Sequence, residues 1–144
     1  MSDSVGDTIR QQRERVLQEH MDAENRLDFD AALATFTHPR YELIGLGTVH
    51  DGAEAVAAYF RNSRRAFPDQ SNEIIAMHHA DHAVICEFWL KGTHLGAIGD
   101  LAPTGRTFRE RMVAVFEFEG AGLVCERIYF NPNAILAQLT ASEA

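Results

Sequence analysis

Ala83-Val84-Ile85-Cys86-Glu87-Phe88-Trp89-Leu90-Lys91-Gly92-Thr93-His94 decides the fold of this chain. Side chains alternate across a β-strand, so Glu87, Trp89 and Lys91 share one face and Cys86, Phe88 and Leu90 the other. One face is apolar and the other charged, the pattern of a long strand covered on one side only. The stretch 106–118 repeats the pattern, with Arg109, Arg111 and Glu117 set against Met112, Ala114, Phe116 and Phe118. Glu110 interrupts it. Strands are also expected at 72–79 and 123–131, separated by Asp81, the Gly96 to Gly105 stretch and Gly120-Ala121-Gly122.

Outward from this β-rich half, the N-terminal third reads as helical. Ile9, Val16, Leu17, His20 and Met21 fall on one side, while Arg10, Gln11, Arg15 and Glu19 lie elsewhere. Asp28 is placed to cap a second helix through Phe29, Ala32, Leu33 and Phe36, which His38-Pro39 ends. Tyr41 to Val49 reads as a strand pair or extended arm bending at Gly45 and Gly47. A third helix is expected over Ala53 to Phe67, with an exposed Arg61, Arg64, Arg65 cluster complementing its C-terminal dipole. A short helix from Pro132 through Leu139 closes the chain. Helices first and long antiparallel strands after give an α+β fold, and residues 1–144 read as a single domain.

Composition narrows the partners. The hydrophobic fraction of 46% and charged fraction of 24% are ordinary for a globular protein. A net charge of -8 excludes a basic face for nucleic acid and disfavours an anionic membrane surface. No apolar run approaches the roughly 20 residues that span a bilayer. Met1-Ser2-Asp3-Ser4 is polar, unlike a signal peptide, so the expected compartment is cytoplasmic. Cys86 and Cys125 are in no CxxC pair and read as buried, reduced thiols.

Several patterns, taken in order, resemble the SnoaL-like polyketide cyclases of the nuclear-transport-factor-2-like (ketosteroid-isomerase-like) superfamily. They are His38-Pro39 after two helices, Phe67-Pro68-Asp69 closing the third, Gly92-Thr93-His94-Leu95-Gly96, Pro103-Thr104-Gly105-Arg106 before a long strand, and Gln138-Leu139. The resemblance implies a cone-shaped fold in which a strongly curved antiparallel sheet packs on the N-terminal helices and encloses a pocket. It also implies a homodimer through the outer sheet face, and cyclase chemistry in which a carboxylate serves as acid/base for an intramolecular aldol step. In the cyclases that carboxylate is an Asp on the last long strand. In ungapped register Ile128 stands nearest to it here, with Ala114 near the position of its partner histidine. Many relatives also carry an Asp after an aromatic residue at this strand's end, where this chain has Asn131, which has no titratable proton.

The residues suggest other candidates. His94, beside two glycines, is positioned to exchange protons or else to fix its loop by hydrogen bonding. Tyr129 and Asn131 are candidate donors to a carbonyl or enolate oxygen. Alternatively, Tyr129 packs on the sheet surface and Asn131 caps the last helix. Glu126 and Arg127 are adjacent and must face opposite ways. Whichever faces the pocket is a base with a raised pKa or an anion-binding group, unless both merely form cross-strand ion pairs with Arg111 or Glu117. His20, Asn25, Tyr41, Tyr59, Phe67, Trp89, Met112, Ala114, Phe116, Ile128 and Phe130 are expected pocket-wall residues. Trp89 is equally suited to an interface.

His78-His79-Ala80-Asp81-His82 does not make a zinc site, because neighbouring strand residues point apart, and no metal is expected. No phosphate-loop spacing occurs and no organic cofactor is implied. The expected partner is a small hydrophobic molecule. The leading reading is a cyclase or isomerase moving protons on a carbonyl-bearing substrate, with His94 as acid/base and Glu126 in reserve. The alternative is a non-catalytic binding module that uses the same pocket.

Overall fold

The structure is a computed structural model, and it describes residues 8–141. Met1-Ser2-Asp3-Ser4 lies outside them. Helix α1 (Ile9–Asn25) starts at a capping box: Gln11 donates its backbone N–H to the Thr8 hydroxyl, and Thr8 donates its own to the Gln11 side chain. Its buried stripe holds Leu17, His20, Met21, Ala23 and Glu24. Asp28 caps α2 (Phe29–Ala34) by accepting from the Ala31 N–H at 3.1 Å. That helix is shorter than expected. Phe36 instead bridges to Leu123, and the Thr37 N–H donates to the Leu123 carbonyl, so this end of the chain is drawn onto the sheet.

A hairpin of β1 (Arg40–Leu43) and β2 (Thr48–Asp51) precedes α3 (Ala53–Ala66). Four long strands follow, β3 (Ser71–His79), β4 (Ala83–Thr93), β5 (Thr107–Glu119) and β6 (Gly122–Tyr129), and then α4 (Pro132–Thr140). They form one six-stranded sheet in the order β2-β1-β6-β5-β4-β3. All neighbours are antiparallel except β1 and β6, which run parallel.

The expected alternation of β4 and β5 is present. Val84, Cys86 and Phe88 are buried on the inner face with Met112, Ala114 and Phe116, while Glu87, Trp89, Arg109 and Arg111 lie on the outer face. The inner residues join Leu17 and Met21 of α1, Ala32 of α2 and Val56 and Phe60 of α3 in one core. Burial at about 25 cal/mol per Å2 of apolar surface is what holds the helices on this face. Cys86 and Cys125 are buried and unpaired, and burial pushes both thiols up to about 12.

Two irregularities aim particular side chains. In β6, Leu123 pairs with Phe118 and Cys125 with Glu117, leaving Val124 as an extra residue. This bulge resets the alternation: Leu123 points inward, yet so does Glu126, three residues on, opposite Phe116. At Gly96 an added Cβ would lie 2.0 Å from the Arg65 carbonyl oxygen. Only glycine lets the loop after β4 press against the end of α3, where the Leu95 and Gly96 N–H groups donate to the Ala66 carbonyl.

Candidate functional site

A cavity of about 480 Å3 opens between the inner sheet face and the helices. Much of its wall is apolar, including Phe67, Phe88, Phe108, Met112, Ile128 and Phe130. Polar groups enter from three sides: Glu24 from α1, Tyr59, Asn62 and Ser63 from α3, and His50, Tyr41 and Glu126 from β2, β1 and β6. Such a lining, apolar with a few converging polar groups, is usual for a small-molecule site.

At the cavity floor the helices and sheet bring five ionisable side chains together. His20 and Glu24 are one turn apart on α1, so they share its buried face. The His20 Nε2 lies 2.6 Å from Glu24 Oε2, 2.8 Å from Glu126 Oε1 and 2.6 Å from the Tyr41 hydroxyl. Its Nδ1 lies 2.9 Å from the Thr35 hydroxyl, which donates onward to the Ala32 carbonyl. Tyr41 donates to Glu24 Oε2 at 2.8 Å, and Arg64 donates to Glu24 Oε1 at 3.0 Å.

Charge is unevenly shared in this cluster. Burial alone would lower the His20 pKa, but the carboxylates of Glu24 and Glu126 outweigh it and raise it to about 10. Burial would raise Glu24, yet His20, Arg64 and the Tyr41 hydroxyl pull it down to about 2. For Glu126 burial prevails over the pull of His20, Glu24 adds to it, and the carboxyl is held above the usual range. A single Nε2–H cannot serve three oxygens, and among the described residues Glu126 Oε1 is buried without a hydrogen bond. Glu24 is therefore held as an anion, whereas burial disfavours the ionised form of Glu126.

His20, Glu24 and Glu126 also bring metal-ligand atoms within 4.8 Å of one another. Ligand atoms on a tetrahedral zinc, each about 2.1 Å from the ion, stand about 3.4 Å apart. The 2.6 and 2.8 Å separations around His20 Nε2 are hydrogen-bond distances instead. Arg64 adds a fixed positive charge to the same cluster. The donor set fits shared protons better than a cation.

The sequence candidates divide. Glu126, Tyr41, Tyr59, Phe67, Met112, Ile128 and Phe130 line the cavity. His20, Ala114 and Phe116 are buried beneath the wall. Five further expected site residues lie outside the lining. His94 is fully buried outside the lining, with Phe67 standing beside its ring at 5.9 Å. Its Nδ1 accepts from the Thr104 N–H at 3.1 Å, so it holds its loop together. Trp89 sits on the outer face under Arg109, whose guanidinium is 3.8 Å from the ring centre. Tyr129 is on that face too, half-exposed, opposite Val113. Asn131 caps α4 by accepting from the Asn133 N–H at 3.0 Å. Asn25 clamps α1 to β3 through both backbone polar groups of Asn72.

Arg127 faces outward to Glu117 and Glu42, which settles which of the 126/127 pair turns inward. Arg64, expected exposed, is buried against Glu24 and over the Phe29 ring. Glu24 and His50 were not among the sequence candidates. The signal for Glu24 was present: a carboxylate one turn after His20 on an otherwise apolar stripe.

The family model of the SnoaL-like polyketide cyclases matches residues 14–139. No curated protein matches. Among solved structures, a candidate polyketide cyclase from Xanthomonas campestris pv. campestris superposes with a TM-score of 0.83 at 21% identity, covering 92% of this chain and 100% of the other. IdmH, a candidate polyketide cyclase from Streptomyces antibioticus, gives 0.75 at 22% identity over 89% and 98% of the two chains. AclR, a candidate hydroxylase from Streptomyces galilaeus, gives 0.75 at 18% identity over 92% and 83%. At these identities the structural likenesses speak for the fold alone.

Proposed function

Since this chain belongs to the SnoaL-like polyketide cyclase family, we propose that it moves protons on a hydrophobic, carbonyl-bearing small molecule, as a cyclase or isomerase, with Glu126 as the acid/base. The observation that carries this reading is a buried carboxylate facing the cavity, held above its usual pKa, whose Oε1 has only the shared His20 Nε2, at 2.8 Å, beside it among the described residues. Glu24 also borders the cavity, but Arg64, Tyr41 and His20 occupy its oxygens and hold it ionised at neutral pH.

In the proposed step the Glu126 carboxylate takes a proton from the carbon next to a carbonyl. The C–H electron pair becomes a carbon–carbon double bond, and charge gathers on the carbonyl oxygen. The Tyr59 hydroxyl supports that oxygen: it lines the cavity, has no hydrogen-bond partner among the described residues, and burial keeps its proton in place by raising its pKa. The imidazolium of His20 steadies the carboxylate from beneath. In a cyclase the enolate carbon then attacks a second carbonyl of the same molecule. In an isomerase Glu126 returns the proton to another carbon.

Deuterium uptake at the carbon between ring and carbonyl of 2-tetralone, followed by NMR in D2O, tests the reading. The wild-type chain is expected to speed the exchange and Glu126→Gln to lose about 100-fold of it. Equal rates for the two would overturn the assignment. Uptake of 2-naphthol, an enolate mimic, without exchange of 2-tetralone would favour a binding module.

The outer sheet face supports pairing with a second copy of the chain, because half-covered Val113 and Val115 lie between ion pairs of both signs there. Light scattering on the purified chain checks this, and a monomer at tens of micromolar would count against it.

A further inference from the structure

The register of the sheet carries a second assignment. Tyr41 of β1 stands opposite His50 of β2 on one side and Glu126 of β6 on the other. Residues paired across strands project from the same face, so His50, Tyr41 and Glu126 form one row turned into the cavity, and all three line it. Two strand spacings of about 4.8 Å put the backbones of His50 and Glu126 about 10 Å apart, with the Tyr41 ring between them. The Tyr41 hydroxyl is engaged with Glu24, so it is not free for a ligand. His50 differs in this respect: among the described residues its ring stacks on Tyr59 at 4.9 Å and makes no hydrogen bond. Its half-buried position on an edge strand gives it access to solvent as well as to the cavity.

We infer that His50 is the second proton-transfer group of the cavity, acting on the oxygen of a bound carbonyl compound while Glu126 acts on the adjacent carbon. The inference rests on the reading of Glu126 given above. As Glu126 removes the carbon-bound proton, the carbonyl π pair moves onto oxygen. Imidazolium N–H of His50 gives its proton to that oxygen, forming an O–H bond and leaving neutral imidazole. The reverse transfers regenerate both groups, and a solvent deuteron that replaces the proton on Glu126 before the reversal is what returns to carbon. The ionisable groups facing His50 are Tyr41 from β1, Tyr59 from α3 and, beyond Tyr41, Glu126 from β6, with Arg40 and Asp51 alongside on the outer face.

The test compares 2-tetralone exchange in the wild type, His50→Phe and Glu126→Gln, and follows the imidazole resonances of histidine-labelled protein as 2-naphthol is added. His50→Phe keeps a ring against Tyr59, so loss of rate does not reflect loss of stacking. About 100-fold slower exchange in His50→Phe is expected. The His50 resonances should move with 2-naphthol in the wild type and in Glu126→Gln. Slow Glu126→Gln with His50→Phe at the wild-type rate overturns the His50 assignment alone, as do His50 resonances that saturating 2-naphthol leaves unmoved. Slow His50→Phe with Glu126→Gln at the wild-type rate overturns the Glu126 reading and leaves His50 as the proton-transfer group. A wild-type chain that does not speed exchange overturns both.

Discussion

Glu126 and Arg127 are neighbours in sequence, yet they belong to two charge clusters with opposite physics. On the inner face Glu126 joins His20, Glu24, Arg64 and Tyr41 in a buried cluster. On the outer face Arg127 joins Glu117 and Glu42, and Arg40 continues the chain to Asp51. The outer charges keep much of their hydration, so their pairing is weak and weakens further with salt. The inner charges have lost theirs, and each depends on the rest. The same residue types thus form hydrated ion pairs in one place and a buried, mutually dependent charge cluster a few ångströms away.

The strongest way to break this contrast is Glu24→Ala. It would leave the His20 and Arg64 cations buried without their shared anion, at a cost of about 3–5 kcal/mol in urea unfolding. A loss below about 1 kcal/mol would mean that the inner cluster is no more consequential than a surface pair.

Next in size is the response to pH. The folded value for His20, about 10, lies above its ordinary 6.5. Its contribution is therefore complete below 6.5, declines above it and is lost as pH rises through about 10. Glu24 shifts the opposite way, to about 2 from 4.5, so its contribution is complete above 4.5 and is lost as pH falls through about 2. The urea midpoint should fall between pH 7 and 10, and Glu24→Gln should flatten that slope. A wild-type midpoint independent of pH over this interval would contradict the shared-proton cluster.

Glu126→Gln sharpens the contrast further. Folding disfavours the ionised form of this carboxyl, so its neutral isostere should unfold at the same or higher urea at neutral pH, while the proposed exchange activity should fall. A loss above about 2 kcal/mol would instead mark Glu126 as a structural anion. On the outer face, Glu117→Gln should change stability by less than about 1 kcal/mol, and by less still at 1 M salt. The smallest expected effect is at Trp89, the single tryptophan. Arg109→Ala removes the guanidinium over its ring, costs about 0.5–1 kcal/mol and should increase quenching of its fluorescence by the neutral quencher acrylamide.

Much of the architecture could be read from the chain because β4 and β5 alternate so regularly. Cys86, Phe88 and Leu90 against Glu87, Trp89 and Lys91 specify a half-covered strand without reference to anything distant. The site was harder to read because its geometry depends on contacts between distant segments. His94 looks available beside its glycines, but Gly96 seats that loop on the end of α3 and Phe67 comes to stand beside the ring. Arg64 looks like a dipole-complementing surface residue until α3 docks over Glu24. His50 lies one residue beyond the extended arm expected at Tyr41 to Val49, and its role depends on pairing with Tyr41. Glu126 or Arg127 was a choice that local alternation could not make, because one additional residue at Val124 makes it.

That additional residue has a bearing on how such chains diverge. A single-codon insertion or deletion between Phe118 and Glu126 can exchange which side chains of the last strand face the cavity, with no substitution at any of them. Alignments that place no gap there will equate hollow-facing positions in one protein with water-facing positions in another. The polar groups presented to the cavity can then change through a shift of phase alone.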